Sequence, residues 1–147
     1  MPGTVTLRPS SDSDAPWIAD LRADVMRPDL ERLGRFDPVW VRERFLRRFV
    51  AANTRLIVLD GVAVGSVAVR TEPGEHWLEH FYLATAQQGR GIGGDVLRRV
   101  LAETDENGPA LPFRLNVLQG SPARRLYERH GFVFEREDEI DVWLVRA

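Results

Sequence analysis

The sequence predicts an α/β (α+β) fold with a mixed, mostly antiparallel central sheet of about seven strands and helices on both faces. Short apolar or alternating runs of strand length recur along the chain, separated by stretches with apolar residues at helical spacing. Hairpin turns such as Asp60-Gly61 join neighbouring strands. Together these features give the order β-α-α-β-β-β-α-β-α-β-β, which we expect to form one domain over residues 1–147.

The first half of the chain is predicted to hold a strand, two helices and a strand hairpin. Thr4–Arg8 alternates as strands do, and Asp12–Asp14 precedes Pro16, as at many helix starts. The apolar residues of the first helix follow at helical spacing: Trp17, Ile18, Leu21 and Val25. A second helical stretch is expected after Pro28, extending beyond Pro38, with these apolar residues: Leu30, Leu33, Val41, Phe45, Leu46 and Phe49. The hairpin strands are Arg55–Leu59 and Val62–Val69.

The second half is predicted to alternate strands with two helices. Trp77–Ala84 forms a strand, and the helix after a glycine-rich segment ends near Asn107-Gly108-Pro109. We expect that helix to bury these residues: Ile92, Val96, Leu97, Val100 and Leu101. Phe113–Leu118 is a strand, and a helix runs from Ser121-Pro122 to His130-Gly131, where Ser, Pro and Gly suit helix ends. The closing hairpin is Phe132–Glu135 and Ile140–Val145.

Composition excludes several classes of protein. Hydrophobic residues make up 44% and charged residues 29%, and the net charge of −2 disfavours binding to nucleic acid or membrane surfaces. The sequence has no Cys, which excludes disulfides, thiolate metal ligands and cysteine nucleophiles, and its three scattered His predict no metal site. All 20 basic residues are Arg, so the lysine of a P-loop is missing. We expect a cytoplasmic protein.

The segment Gln88–Gly94 carries glycines that leave backbone N–H groups open, directly before a predicted helix. Such a loop and helix N-terminus favour binding of a phosphate or diphosphate. Gly89, Gly91 and Gly94 also fit the dinucleotide pattern GxGxxG. The strand before them is the fourth, however, and hairpins precede it, which does not suit a doubly wound dinucleotide-binding sheet. A glycine-rich helix start without any ligand is the other alternative.

Two motifs resemble those of the GCN5-related N-acetyltransferases. Gln88–Gly93, with the sequence QGRGIG, is similar to the family's Q/R-x-x-G-x-G/A acyl-CoA loop. Ser121–Phe132, with the sequence SPARRLYERHGF, resembles its N-P-A-x-x-L-Y-E-x-x-G-F segment. Their spacing, their strand context and the element order match the family over essentially the whole chain. The chain departs from the pattern at Ser121, because family members often carry there, or one residue earlier, an Asn that binds the pantetheine arm.

The resemblance implies that acetyl-CoA is the cosubstrate, held in a cleft where the strand ending at Ala84 diverges from the strand ending at Leu118. The implied cofactor-binding residues are Phe81, Leu83, Gln88, Gly89, Arg90, Gly91, Ile92, Gly93, Ser121 and Arg124. Within this set the N–H of Leu83 would polarise the thioester carbonyl. Arg90 either contacts phosphate or is a solvated loop residue, and Asn116 is the alternative to Ser121 as a pantetheine contact.

The resemblance also implies that Tyr127 is the general acid that protonates the leaving thiolate. Glu79 is the first candidate for the general base, acting on the acceptor amine through a water. Regular alternation along a strand would place Glu79 on one face with Phe81 and Leu83, and His80 on the other face unless a bulge reverses the register. Ordered water without Glu79 is the alternative base.

The implied function is transfer of an acetyl group from acetyl-CoA to a primary amine by direct attack, without a metal. The acceptor is a small-molecule or peptide amine: Asp or Glu lining would suit a cationic amine, and Arg lining an acceptor that also bears a carboxylate. A non-catalytic acyl-CoA-binding or regulatory module is the alternative, and a dinucleotide-binding protein is a remote one. The sequence leaves open whether the chain forms a homodimer.

Overall fold

A computed structural model describes residues 3–108 and 110–147. Pro109, which the sequence analysis places at the end of a helix, lies outside the described residues. The strands are β1 (Val5–Pro9), β2 (Thr54–Leu59), β3 (Val62–Glu72), β4 (Glu75–Leu83), β5 (Phe113–Leu118), β6 (Val133–Glu137) and β7 (Asp141–Arg146). The helices are α1 (Ala15–Arg32), α2 (Pro38–Arg48), α3 (Ile92–Asn107) and α4 (Ala123–Glu128). Of the helices in this described part, none is long and apolar enough to cross a membrane.

The seven strands form one sheet in the order β1-β2-β3-β4-β5-β7-β6. Every neighbouring pair is antiparallel except β4 and β5, which run parallel because α3 connects them as a crossover. At the β2–β3 turn Asp60 and Gly61 both have positive φ, of 50° and 83°, as a two-residue hairpin requires. The predicted mixed, mostly antiparallel sheet is confirmed.

Helices cover both faces of the sheet, as predicted. On one face, α3 and α4 pack on the sheet in a core that contains all five predicted apolar residues of α3, each at most 7% exposed. On the other face, α1 and α2 pack against the sheet through residues such as Ile18 and Phe45. We call these the α3/α4 face and the α1/α2 face. Each helix therefore presents one apolar stripe to the sheet, which is what the helical spacing of apolar residues predicts.

The prediction that a new helix starts after Pro28 is wrong. α1 continues through Pro28 to Arg32, and α2 begins only at Pro38. A proline inside a helix costs about 3 kcal/mol, but Leu30, which follows shortly after Pro28, is buried against Ala23 and Val41. Burial of this apolar contact offsets the lost backbone hydrogen bond. Asp37 accepts hydrogen bonds from the N–H groups of Val39 and Trp40, which fixes the true start of α2.

Candidate active site

The parallel strands β4 and β5 separate soon after they begin. They pair only where His76 faces Phe113 and Trp77 faces Arg114, and beyond these positions the strands diverge. A cavity of about 520 Å³ opens between them, lined by Leu78–Leu83 on one side and Leu115–Leu118 on the other. The cleft that the sequence analysis expected between these strands is therefore present.

The glycine-rich loop and the first turn of α3 line one part of this cavity. Gly89 and Gly91 have φ of +75° and +83°, a left-handed conformation that L side chains rarely adopt, and Gly91 is the N-cap of α3. The Gln88 side chain donates a hydrogen bond to the Leu83 carbonyl oxygen at 2.9 Å, which ties the loop to the end of β4. The unpaired N–H groups and positive dipole end of a 16-residue helix therefore face a built cavity.

The cavity brings together seven of the ten residues predicted to bind the cofactor: Phe81, Leu83, Gln88, Gly89, Gly91, Gly93 and Ser121. The other three side chains lie elsewhere. Ile92 is buried in the α3/α4 core, and Arg90 donates a hydrogen bond to Gln87 Oε1 at 2.6 Å. Arg124 pairs with Glu128 at 3.3 Å and stacks over the Phe134 ring. Side-chain contacts to a ligand in this cavity would therefore require Arg90 and Arg124 to move.

Ser121 is engaged by its own helix. Its Oγ accepts a hydrogen bond from the Ala123 N–H at 3.2 Å, which satisfies one of the free donors at the start of α4. Asn116, the alternative pantetheine contact, also lines the cavity and donates to Asp141 Oδ1 at 3.1 Å. Both side chains therefore border the cavity with one polar group already used.

A β-bulge in β4 reverses the alternation of side chains. Ala68 pairs with Glu79 and Ser66 with Tyr82, so two residues of β4 oppose one residue of β3. His80, inside the bulge, has a φ of +48°. The expectation that Glu79 shares a face with Phe81 and Leu83 is therefore wrong: those two pack on the α3/α4 core, while Glu79 lies on the α1/α2 face.

The bulge places His80 on the α1/α2 face as well. Its ring meets the Phe45 ring edge-on at 4.8 Å, and its Nδ1 lies 3.3 Å from the Tyr82 hydroxyl. Both faces nevertheless open onto one cavity, which Glu79, His80, Phe81 and Tyr82 all line. The bulge therefore distributes the polar and apolar residues of β4 around a space that passes between the strands.

Tyr127 lines the cavity from the α3/α4 face. It is 7% exposed, and its ring packs against Phe81 and Phe132 with centroid distances of 6.2 and 5.9 Å. Burial raises the pKa of Tyr127 above its usual value of about 10, and the nearby Tyr82 adds to the rise. The phenol is therefore protonated throughout the physiological range and is held in one orientation by its aromatic neighbours.

Glu79 lines the cavity from the opposite face. Its Oε1 accepts hydrogen bonds from Arg70 Nε at 3.1 Å and Nη2 at 2.9 Å. Arg70 also pairs with Glu72, so the Glu79 carboxylate shares this guanidinium with a second carboxylate. The ion pair fixes the direction of Glu79 at the border of the cavity.

His80 is the partly buried group whose ionisation should have the largest effect on stability. Burial lowers its pKa from 6.5 to about 4, and its Nε2 is buried with no hydrogen-bond partner among the described residues. The unfolded chain therefore binds more protons than the folded chain between these two pKa values. Stability is complete above pH 6.5 and is lost as the pH falls toward 4, by about a few kcal/mol.

We expect this loss to be smaller in His80→Asn, because Asn tolerates a positive φ and does not titrate. Urea unfolding of both proteins across the interval from pH 6.5 to 4 measures it. Carboxylates common to both proteins cancel in the comparison. Equal pH dependence in the two proteins would show that His80 is not buried in its neutral form.

Three arginines on the α1/α2 face border the same cavity, and the sequence analysis assigned none of them to the site: Arg22, Arg44 and Arg48. A signal for the first was present. Arg22 lies one helical turn after Ile18 and next to Leu21, so it occupies the apolar stripe of α1 instead of its solvated face. Arg44 and Arg48 carry no such signal, because α2 is rich in charged residues and its sequence offers no reason to select these two.

Comparisons with known proteins agree with this architecture. A sequence profile described as "Acetyltransferase (GNAT) domain" matches residues 26–145. The PaiA N-acetyltransferase from Thermoplasma acidophilum in complex with coenzyme A superimposes with a TM-score of 0.80 at 19% identity, over 97% of this chain and 98% of that chain. An acetyltransferase from Thermus thermophilus gives 0.74 at 21% identity, over 99% of each chain. An N-acetyltransferase from Staphylococcus aureus gives 0.71 at 16% identity, over 95% of this chain and 99% of that chain.

No curated protein sequence matches the chain. The structural similarities lie below 25% identity and therefore define the fold, which is the fold of these acetyltransferases. The sequence profile covers most of the chain, and the chain belongs to the GNAT acetyltransferase family. The family resemblance predicted from the two motifs is thereby confirmed.

Proposed function

We propose that this chain is an N-acetyltransferase that moves an acetyl group from acetyl-CoA to a primary amine by direct attack within a ternary complex. The observation that carries the proposal is the cavity between β4 and β5. It is lined by the glycine-rich start of α3, by buried Tyr127 on one face and by Glu79 on the other. The chain has no Cys to form a thioester intermediate, which favours direct transfer.

We assign the diphosphate of acetyl-CoA to the backbone N–H groups of Gln88–Gly93. This assignment rests on the open helix N-terminus and on the two left-handed glycines, which favour an anion at this place. The pantetheine arm would lie along β4 from Phe81 to Leu83 like an added strand, because the edge of β4 that faces β5 is unpaired there. The Leu83 N–H would then stabilise the negative charge that develops on the thioester oxygen.

The residues on the two faces take opposite proton-transfer roles. The acceptor ammonium loses a proton to Glu79, directly or through a water, and the amine lone pair then attacks the thioester carbon. As the new C–N bond forms and the C–S bond breaks, the sulfur receives the electron pair. Tyr127 donates its proton to that sulfur, so that free CoA leaves as a thiol. After attack the nitrogen is positively charged and still carries two protons; it loses one of them, and this proton restores the Tyr127 phenol. An ammonium and a thioester thus become one amide, one thiol and one proton, which is the proton that Glu79 took from the ammonium.

A calorimetric titration with acetyl-CoA tests the binding part of this proposal, with NADH as the control ligand. We expect micromolar affinity for acetyl-CoA and none for NADH. Gly91→Ala should weaken acetyl-CoA binding about tenfold, because a left-handed Ala costs about 1–2 kcal/mol and the loop must keep that conformation to present its N–H groups.

Gly74→Ala is the matched control for this titration. Gly74 lies in the β3–β4 turn with a φ of +88°, and an added Cβ would meet nothing within 4 Å, as at Gly91. It carries the same backbone strain away from the cavity, so its affinity for acetyl-CoA should match the original protein. Binding of NADH instead would restore the dinucleotide hypothesis. Acetyl-CoA binding without turnover of any amine would favour the non-catalytic acyl-CoA-binding module.

A further inference from the structure

Three arginines border the cavity from the α1/α2 side. We call Arg22, Arg44 and Arg48 the arginine cluster. In the part of the chain that the structure describes, none of the three forms a salt bridge, although neighbouring arginines such as Arg42 and Arg47 do. Arg44 lies over the Trp40 ring, 5.2 Å from its centroid.

Arg22 is the most unusual member of the arginine cluster. It is 7% exposed, and within the described residues its only side-chain hydrogen bond is from Nε to the Met26 sulfur at 3.2 Å. A buried guanidinium without a carboxylate carries a large desolvation penalty that a thioether does not offset. Burial and the charges of Arg48 and Arg22 also lower the pKa of Arg44. Within the described residues, the arginine cluster therefore carries positive charge that no carboxylate in direct contact neutralises.

Three carboxylates among the described residues also line the cavity, and other arginines bind two of them. Glu79 is bound by Arg70 at 2.9 Å, and Asp29 is bound by Arg32 at 2.9 Å. Asp141 accepts a hydrogen bond from the neutral Asn116 at 3.1 Å, and its charge opposes, without cancelling, the lowering of the Arg44 pKa by burial and by the other two arginines. Among the described residues, the arginine cluster therefore places three positive charges at the cavity against one lining carboxylate that no arginine binds.

We propose that the arginine cluster binds the carboxylate of the acceptor, so that the substrate is a small amino acid whose amine is acetylated. This inference rests on the proposed acetyl transfer and names the acceptor class for it. Arginine suits a carboxylate because its planar donors form two parallel hydrogen bonds with it. A purely cationic acceptor such as a polyamine would be repelled by the same groups.

The position of the arginine cluster separates it from the expected diphosphate site. Arg22 belongs to α1 and the other two to α2, on the face opposite α3, whose N-terminus and glycine loop suit the diphosphate. Glu79, the candidate base, lies on the same face as the arginine cluster. A carboxylate held by the arginines would therefore leave the amine of the same small molecule on the side of the base.

The test compares matched acceptors by release of CoA thiol, which is unambiguous because the protein has no Cys. The panel holds the standard L-amino acids, their α-amides and the amines that lack the carboxylate. For the best amino acid we expect kcat/KM to exceed that of its amide and its amine about a hundredfold, since a charge-assisted hydrogen bond to the carboxylate is lost. Equal turnover of all three forms, or turnover of peptides only, would overturn the inference.

Variants of the arginine cluster provide the second part of the test. Arg22→Met should lower kcat/KM for the amino acid at least about tenfold and should reduce the ratio of this kcat/KM to that of the amide. The Kd of acetyl-CoA should stay unchanged. Arg48→Met tests the same point at an exposed position, where the substitution should not disturb folding. Arg27→Met is the control, because Arg27 is an exposed residue of α1 that pairs with Glu31 outside the cavity. Loss of acetyl-CoA affinity in Arg22→Met would mean that the arginine cluster serves CoA, and the inference would fail.

Direct calorimetry of the amino acids against the original protein and Arg22→Met gives a readout that does not depend on turnover. Binding that weakens in Arg22→Met but not in Arg27→Met supports the inference. If no amino acid binds or reacts, the inference fails, whereas the proposed acetyl transfer survives as long as acetyl-CoA binds and other amines react. Failure of acetyl-CoA to bind would instead remove the proposed function. The two failures are thus distinguishable.

Discussion

Replacing Tyr127 with Phe is expected to lower kcat by about 10²–10³-fold while the affinity for acetyl-CoA stays close to that of the original protein. The substitution removes one hydroxyl and keeps the ring that packs on Phe81 and Phe132. The apolar contacts that position the cavity wall should therefore persist. Only the proton that Tyr127 is proposed to give to the departing sulfur is lost.

The raised pKa of Tyr127 also predicts how kcat depends on pH. Burial keeps the phenol protonated beyond its usual range. Up to a pH of about 10, kcat of the original protein should therefore not fall through loss of the Tyr127 proton. Thiol release under saturating acetyl-CoA and acceptor measures this, with calorimetry for the Kd and thermal unfolding for stability.

Tyr82→Phe is the comparison, since Tyr82 is the chain's other tyrosine and also lines the cavity. Its hydroxyl lies 3.3 Å from His80 Nδ1 on the α1/α2 face, whereas Tyr127 packs on the α3/α4 face. We expect a much smaller change in kcat for Tyr82→Phe. If the two variants lose the same activity, or if Tyr127→Phe loses none, the assignment of Tyr127 as general acid is wrong.

The parts of the fold that the sequence predicted well are those in which one face is buried and the backbone is regular. In α3 the apolar residues recur every three or four positions, and all five predicted core residues are buried. β5 begins and ends at the predicted residues, Phe113 and Leu118. The β2–β3 turn also lies where Asp60-Gly61 predicts it, since few residue pairs accept two positive φ angles.

The parts that the sequence did not predict depend on contacts between distant segments. Burial of Leu30 against α2 stabilises the continuation of α1 through Pro28. A rule based on the local effect of proline cannot predict this contact between two helices. The bulge at His80 adds one residue to β4 and reverses the faces that simple alternation assigns. The arginine cluster is assembled from two helices, so its unbalanced charge becomes visible only when α1 and α2 are packed together.

Glu79→Gln is expected to lower kcat/KM about a hundredfold at neutral pH, and by less as the pH rises. An alkylammonium group titrates near pH of about 10, so at neutral pH nearly every acceptor molecule must lose a proton before it attacks. At high pH the free amine is already present, and the base has less to contribute. The amide of Gln can still accept a hydrogen bond from Arg70, which limits structural change to the charge.

Glu72→Gln is the matched control for this prediction. Glu72 is the other carboxylate partner of Arg70, but it is not among the residues that line the cavity. Both variants therefore remove one negative charge from the same guanidinium, and only Glu79→Gln removes a carboxylate that borders the cavity. Glu79 is identified as the base if the pH–rate profile of Glu79→Gln converges on that of the original protein at high pH. The profile of Glu72→Gln should run parallel to that of the original protein at every pH. A profile for Glu79→Gln that stays parallel to the original would exclude that role and would direct attention to ordered water or to neutral His80 on the same face.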